Sequence, residues 1–397
     1  VEGFEPPVTA LNGVVTIDRE SISSEALGGL FLGRPVQIEL DDAPGELPEF
    51  QVVARALGSV DASGLTDGLG LPVAGLVNGE TDYSVDLLFP RGGTDQPAPF
   101  TIRIRSDLVG LAVDLPEPFL KPADEAASIE GDIAFLPGGQ RIESRGKAQG
   151  GVSWELVFGQ DDGELDFERG TLALGGGALA SAETRGLHIR GNVESVVFDE
   201  WLRLSRGNEK RTGTADRIRS IDVNVDSLRL LGQHLQDHRV RVDRSARDWL
   251  VQFEGEQVTG SAFVPYDLGS DRDVVLDMER LILPGDSSRE VAGDGEQIDP
   301  RTLPPITLKA AEFALGNRFL GAVETQFVRT GQGLIAETFV ARDATFEAAG
   351  NARWIAEPTD PTGFRSYLMA TLTSTDVKTT MQRLDYAPGI VSDDMTL

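Results

Sequence analysis

Apolar and polar residues alternate in many short stretches of this chain. In 82–89 every second residue is apolar, and the same alternation runs through 100–105. Residues two apart on a strand share a face, so each stretch predicts a β-strand with one apolar and one polar side. The pattern recurs from Val36 to Leu372 and predicts an all-β, mostly antiparallel protein. Such a protein either closes its apolar face on itself or offers that face to something apolar.

Turn signals separate these strands, and helical periodicity is confined to short segments. Glycine and asparagine tolerate the positive φ of tight hairpins, which predicts turns at Gly138-Gly139, Asp161-Asp162-Gly163, Gly232-Gln233 and Gly316-Asn317. The short helices predicted are Asp61–Leu69 and Asp376–Leu384, each capped by its first residue, and a turn at Phe198–Leu204.

An internal repeat is visible in the second half of the chain. Ile221–Pro265 and Ile306–Ile355 each run as successive strands with turns at similar positions, which indicates either a repeat array or a regular meander. The stretches 207–217 and 285–304 are polar and predict long loops. We therefore divide the chain into segments 1–125, 126–205, 206–305 and 306–397, all expected to form one continuous elongated body.

The charge balance narrows the possible partners. The 397 residues include 64 acidic and 36 basic ones, which gives a net charge of −28. Nucleic acids and anionic membrane surfaces need a basic protein surface, so neither is an expected partner. The chain has no cysteine, which excludes disulfides and thiolate chemistry. It begins in mid-pattern without methionine, and we expect it to be part of a longer protein.

No arrangement of polar residues predicts an active site. His234 and His238 have a metal-like spacing, but they fall on a predicted hairpin without an accompanying HExxH frame. Adjacent acidic residues such as Asp41-Asp42 are common in so acidic a chain, and by themselves they do not indicate a catalytic pair. Gly175-Gly176-Gly177 lacks the lysine and helix of a phosphate loop. We expect no metal, no cofactor and no enzyme activity.

One stretch makes a family resemblance specific. Residues 106–119, followed by Lys121-Pro122, resemble a signature of the AsmA-like YhdP family of the Gram-negative envelope. Blocks at 11–13, 22–36, 186–201 and 299–354 resemble other parts of that family in the same order. The residues that carry the signature are Ser106, Asp107, Leu108, Gly110, Leu111, Leu115, Pro116, Pro118 and Lys121.

The resemblance implies a fold and a function. Family members resemble TamB and bridge-like lipid transfer proteins, in which a curled β-sheet forms a groove with an apolar inside. They are implicated in moving phospholipid between the inner and outer membranes. The expected ligands are phospholipid acyl chains, and the expected location is the periplasm, tethered by an N-terminal helix outside this chain. Both membranes would be reached through regions outside it, and protein partners are unspecified.

The apolar positions of the alternating segments are the candidate lining of that groove. They are Val36, Ile38, Leu40, Tyr83, Val85, Leu87, Phe89, Phe100, Ile102, Ile104, Val223, Val225, Val251, Phe253, Leu276, Met278, Ile306, Leu308, Tyr367 and Met369. From the residues alone, these side chains equally fit a dry core under a second sheet. Two other functions stay open: a β-scaffold for envelope assembly without lipid, and a secreted polysaccharide-active enzyme.

Overall fold

The computed structural model confirms an all-β, mostly antiparallel protein with a few short helical segments. It describes residues 7–18, 21–68, 75–93, 97–138, 141–161, 164–198, 200–201, 217–230, 233–284, 299–357, 363–387 and 395–396. The chain divides into two compact units, the first holding most residues up to Asn192 and the second most residues from Ser220. The predicted four-segment division stays a prediction.

The first unit is an antiparallel ladder in which chain neighbours pair. Its strands are β1 (Thr9–Asn12), β2 (Val15–Ile17), β3 (Ile22–Ser24), β4 (Leu27–Phe31), β5 (Arg34–Asp42), β6 (Phe50–Asp61), β7 (Val77–Pro90), β8 (Phe100–Ser106), β9 (Leu111–Val113), β10 (Ile129–Phe135), β11 (Arg141–Ala148), β12 (Val152–Asp161), β13 (Glu164–Leu174) and the beginning of β14 (Gly186–Val197). β1 pairs with β4, β4 through β8 pair in order, and β8 through β13 pair in order with β9 left out. β14 joins β13 in parallel, and β9 pairs with the start of β7.

The second unit consists of two antiparallel meanders joined by one parallel pairing. Its strands are β15 (Ile218–Leu230), β16 (Gln233–Arg244), β17 (Asp248–Glu254), β18 (Val258–Pro265), β19 (Val274–Leu283), β20 (Ile306–Leu315), β21 (Arg318–Thr330), β22 (Gly333–Arg342), β23 (Phe346–Ala356), β24 (Phe364–Ser374) and β25 (Met395–Thr396). β15 to β19 form one meander and β20 to β24 the other, and β19 runs parallel to β20. The two predicted repeat units lie within these five-stranded meanders, at β15–β18 and β20–β23.

The turns agree with the glycine signals where they are described. Gly316-Asn317 connects β20 to β21, as predicted. Parts of the other three predicted turns lie outside the described residues, as do 207–216 and 285–298 of the predicted loops. Gly175-Gly176-Gly177 follows β13 as a turn.

Two of the predicted helices form at their predicted caps. The α-helix α1 (Val377–Arg383) is capped by Asp376, whose carboxylate accepts a hydrogen bond from the Thr379 amide at 3.1 Å. Gly64–Gly68 forms a single π-helical turn after β6, and the Asp61 carboxylate accepts from the Gly64 amide at 2.8 Å. 3₁₀ turns occur at Gln149–Gly151 and Pro300–Thr302. Residues 202–204 of the third predicted helix lie outside the described part.

The family-like signature forms the connection between β8 and β10, and it packs closely against the backbone of β7. The Gly110 carbonyl accepts a hydrogen bond from the Glu80 amide at 3.1 Å. Gly110 has φ +90°, and a Cβ on Gly79 would lie 2.1 Å from the Gly110 carbonyl oxygen. Backbone at this distance leaves room only for glycine at both positions. The signature therefore encodes a close backbone contact.

Lys121 stabilises this connection from its buried side. Its side chain is buried, and its Nζ donates to the carbonyl oxygens of Leu108 (2.8 Å), Leu111 (2.7 Å) and Pro122 (3.0 Å). An ammonium has three donors, and all three are used here. Lys121 is thus a structural cation that ties the two ends of the signature together.

Replacing Lys121 with methionine is expected to destabilise the first unit by about 2–4 kcal/mol, because buried carbonyls lose their donor. Urea unfolding of the whole chain, followed by tryptophan fluorescence, measures this change. Lys147→Met is the matched control, since the Lys147 side chain is 74% exposed, and it should leave the midpoint nearly unchanged. Equal midpoints for the two variants would contradict the structural role of Lys121.

Candidate functional site

Cross-strand register brings the predicted apolar residues of the first unit onto one face. Leu40 lies opposite Ala54, Ala54 opposite Leu87, and Leu87 opposite Ile102. Ile102 in turn lies opposite Ile133 on β10. The remaining first-unit candidates fall in parallel rows of the same face: Val36, Ile38, Tyr83, Val85, Phe89, Phe100 and Ile104. We call this surface the first-unit apolar face.

Aromatic rings continue this face across the strands. Phe89 and Phe100 have ring centroids 5.2 Å apart, and Phe100 and Phe135 have centroids 5.6 Å apart. Further along, Phe158 and Phe167 stand edge to face at 5.6 Å. These separations are typical of favourable aromatic pairs. Sequence reasoning found the first two rings, but Phe135, Phe158 and Phe167 become part of the face only through the register of β10 to β13.

The indole ring of Trp154 packs over two glycines on this face, Gly146 and Gly131. It is opposite Gly146, and Gly146 is opposite Gly131. A Cβ on Gly146 would lie 2.1 Å from Trp154 Cζ2, and one on Gly131 would lie 2.8 Å from the same atom. The indole Nε1 donates to Ser144 Oγ at 3.1 Å. The two glycines therefore provide the space in which the ring rests.

Most side chains of the first-unit apolar face remain partly accessible. Phe89 is 37% exposed, and Ile38, Leu40, Val85, Leu87 and Ile104 are half-buried, whereas Val36 and Ile102 are buried. Side chains in a dry sheet-on-sheet core are mostly fully buried. This half-buried state indicates an apolar surface with open space above much of it. At one end, Gly64 of the π-helical turn packs against Val60, which belongs to the same face.

The opposite face of the first unit carries rows of alternating charge. Asp86 accepts from Arg55 and from Arg105, both at 3.0 Å, and Arg105 reaches Glu130 at 3.2 Å. Glu130 is also 3.4 Å from Lys147. Hydrogen bonds from Arg105 and Lys147 hold the pKa of Glu130 below its usual range. Ion pairs therefore occupy part of this side, and Val53 and Leu88, on the same side, belong to a buried apolar cluster with Phe50.

In the second unit most candidates again share one face. Val223 lies opposite Val240, which is opposite Phe253, and Leu276 lies beside Leu308 across the parallel pairing. The other second-unit candidates on this face are Val225, Val251, Met278 and Ile306. We call this surface the second-unit apolar face. Asp222, on the opposite side, accepts a bidentate pair from Arg239 at 2.7 and 2.8 Å.

Part of the second-unit apolar face is covered by the chain itself. Val323, Phe339, Ala341, Phe346 and Ala348 form a buried cluster, and Leu384 at the end of α1 packs against it. The 3₁₀ turn at Pro300–Thr302 contacts β21, β22 and β23. On β22 the inward Leu334 and Ala336 are almost fully buried. The chain itself therefore covers the apolar side of β21 to β23 around this cluster.

Tyr367 and Met369 do not share the face of the other candidates. Tyr367 lies opposite Arg353 and Met369 opposite Asn351, whereas the apolar face continues through Leu368 and Leu372. Tyr367 is flanked by the guanidinium groups of Arg353 and Arg365, 4.5 and 5.7 Å from its ring centroid. Apolar residues occur in both sets of alternate positions on β24, so alternation alone gave no inward direction there.

Comparison with protein-family models matches the whole chain, residues 1–397, to the model described as "YhdP protein". The chain belongs to the YhdP family. Comparisons with curated proteins and with solved structures gave no match. Family membership confirms the resemblance predicted from residues 106–122 and indicates an envelope protein of the lipid-transport type.

Two further observations concern the polar candidates of this YhdP-family chain. Within the described residues, no helix is long and apolar enough to span a bilayer, and no group of three or more potential ligands forms a metal site. His234 bonds to Ser227 Oγ at 2.8 Å on the surface. His238 instead is buried, and its Nε2 accepts from the Val258 amide at 3.1 Å. The two histidines therefore serve separate local contacts.

His238 is held in its neutral form by burial. Desolvation lowers its pKa from the usual 6.5, although the Gln236 backbone and the Asp237 charge act in the opposite direction. Gly255 leaves space for the ring, since a Cβ there would lie 2.3 Å from Cδ2. Protonation of Nε2 would also remove the acceptor used by Val258.

The second unit is expected to lose stability as the pH falls below about 6.5, because the unfolded chain then binds a proton that the folded His238 resists. The contribution of His238 to the free energy of unfolding is fully present above the pKa that it has in the unfolded chain. It decreases as the pH falls toward the lower pKa of His238 in the folded protein. In urea unfolding at successive pH values, the advantage of the wild type over His238→Gln should narrow on acidification. His234→Gln should follow the wild-type profile. Parallel profiles for the wild type and His238→Gln would refute this linkage.

Proposed function

We propose that the first-unit apolar face binds phospholipid acyl chains and allows them to pass along it between the inner and outer membranes. The supporting observation is the cross-strand row that runs through Leu40, Leu87 and Leu156, because these three leucines are only half-buried while ion pairs lie on the opposite side of the sheet. Headgroups would stay at the wet boundary of the sheet. No covalent step is involved, and the role is passive conduction.

The energetics favour such a surface. Each methylene removed from water contributes roughly 0.8 kcal/mol, so two acyl chains crossing an aqueous space unprotected would cost on the order of tens of kcal/mol. A continuous row of aliphatic and aromatic side chains offsets this cost without recognising any particular chain. Partial exposure is what such a surface needs, because fully interlocked side chains would leave no space for hydrocarbon.

Membership of the YhdP family supports a location in the envelope, and we propose the periplasm. Transport direction and driving force would come from partners.

For β20–β23 the observations favour a structural role instead. The buried cluster around Phe339 and the cover supplied by Leu384 leave these strands as a dry core. A scaffold function therefore fits this part of the second unit, while the first unit carries the proposed lipid path.

Leu87→Glu is expected to abolish phospholipid binding, because a carboxylate would lie in the middle of the apolar row. Leu57→Glu is the matched control: Leu57 is 46% exposed on the adjacent strand β6 and lies opposite Ser84, on the other face. Native mass spectrometry of the purified chain should show co-purified phospholipid in the wild type and in Leu57→Glu, but not in Leu87→Glu. Far-ultraviolet dichroism should be the same for all three.

Either of two results would contradict the proposal. One is a wild-type chain that never carries phospholipid. The other is equal loss of phospholipid in both glutamate variants with the fold intact.

A further inference from the structure

The first-unit apolar face differs at its two margins, which are formed by opposite ends of the strands. At one margin the last row contains large apolar side chains only: Phe89, Phe100, Phe135, Ile142, Phe158 and Phe167. None of these side chains has a polar atom, and all but Ile142 are aromatic. We call this row the phenylalanine margin.

The row at the opposite margin contains two hydroxyl groups. Tyr83 on β7 and Ser106 on β8 each lie six residues along the strand from a phenylalanine of the first row. Ser106 is opposite Ile129, which is likewise six residues from Phe135 on β10. Tyr83 is opposite Gly58. We call this row the hydroxyl margin.

The two hydroxyl groups differ in their partners. Ser106 Oγ donates to the Asp82 carbonyl oxygen at 2.7 Å and accepts from the Leu108 amide at 3.0 Å. Tyr83 Oη lies over Gly58, where a Cβ would be 2.6 Å away, and no residue of the described part forms a hydrogen bond with it. Burial raises the pKa of Tyr83, which therefore remains a donor at neutral pH. A half-buried hydroxyl without an acceptor is unfavourable, so Tyr83 indicates an acceptor from outside the chain.

The width and polarity of this face match one leaflet of a bilayer. Six residues of a β-strand rise about 3.3 Å each, so the two margins lie about 20 Å apart. The hydrocarbon core of a bilayer is about 30 Å thick, so one leaflet supplies roughly 15 Å of it. In membranes, tyrosine and tryptophan lie at the headgroup level, whereas phenylalanine is favourable within the hydrocarbon. Tyr83 and Trp154 both lie in the half of the face nearer the hydroxyl margin.

We propose that a bound phospholipid lies along the strands of the first unit, with the ends of its acyl chains on the phenylalanine margin and an ester oxygen accepting a hydrogen bond from Tyr83. The inference rests on the proposed lipid-binding function and adds the orientation of the lipid and one polar contact. The headgroup then projects past the hydroxyl margin into solvent. Lipids move from strand to strand along the ladder and keep this orientation.

The orientation can be measured with single labels, because the chain has no cysteine of its own. Ile129→Cys and Phe135→Cys place a fluorophore at the two margins of β10. The whole chain is incubated with phosphatidylcholine vesicles and then separated from them, and the lipid carries a nitroxide near either the ester end or the methyl end of one acyl chain. The ester-end nitroxide should quench the label at 129 more strongly, and the methyl-end nitroxide the label at 135.

Two further labelled variants complete this measurement. Phe100→Cys gives a second label at the phenylalanine margin and should behave as Phe135→Cys does. Glu130→Cys lies on the opposite side of β10, so neither nitroxide should quench it. The reverse pattern, or equal quenching at both margins, would overturn the orientation while leaving lipid binding intact. No quenching at either margin by either lipid would overturn the proposed function itself.

Tyr83→Phe tests the polar contact. It should weaken the binding of phosphatidylcholine by about two- to tenfold, the scale of one neutral hydrogen bond. Tyr386→Phe is the matched control, because Tyr386 is 54% exposed in the second unit, and it should keep the wild-type affinity. Affinity is measured by titrating the chain labelled at 129 with the ester-end nitroxide lipid. Equal affinities for the chains with and without the Tyr83 hydroxyl would overturn this contact.

Discussion

The structure depends on one constraint: a strand places successive side chains on opposite faces, and antiparallel register carries that choice to its neighbour. Once Leu87 points to one side, Ala54 and Ile102 must follow, because they lie directly opposite it. A slip of one residue in β8 would send Arg103 and Arg105 onto the apolar face. The separation of hydrocarbon and charge is therefore a cooperative property of the ladder.

The charged face contributes to the same outcome. Asp86 is buried between Arg55 and Arg105, and removing it to the opposite side would leave a desolvated carboxylate without cations. The more exposed pairs on this side, such as Lys147 with Glu130, each contribute little to stability, on the order of 0.2–1 kcal/mol. Their value here is in specificity, since each row matches only one register. Arginine suits this role better than lysine, because its planar fork can bridge two carboxylates.

The fold class, the two capped helices and most of the apolar face could be predicted from alternation and from capping residues, because these signals are local. Other features depend on distant residues. Tyr367 and Met369 were candidates because apolar residues fall on both sides of β24, and only pairing with Arg353 and Asn351 fixes their direction. The ion pairs link residues on β6, β7, β8 and β10, and the sequence alone does not show that these strands are neighbours in the sheet. The cover over β22 comes from the 3₁₀ turn at Pro300–Thr302 and from Leu384, and no periodicity in the sequence connects these residues to β22.

The covered part of the second unit shows how the open first-unit apolar face could be buried. Where the second unit closes, the chain supplies its own aliphatic and aromatic groups to the sheet, and Val323 and Ala341 become almost inaccessible. The sheet surface beneath is made in the same way in both units, from alternate residues held in register. In the first unit the π-helical turn reaches Val60 at one end, while Leu87 and Phe89 keep part of their surface open. Hydrocarbon from another molecule could bury Leu87 and Phe89 in the way that Leu384 packs against the cluster around Phe339. Burial of apolar surface is non-directional and requires only contact.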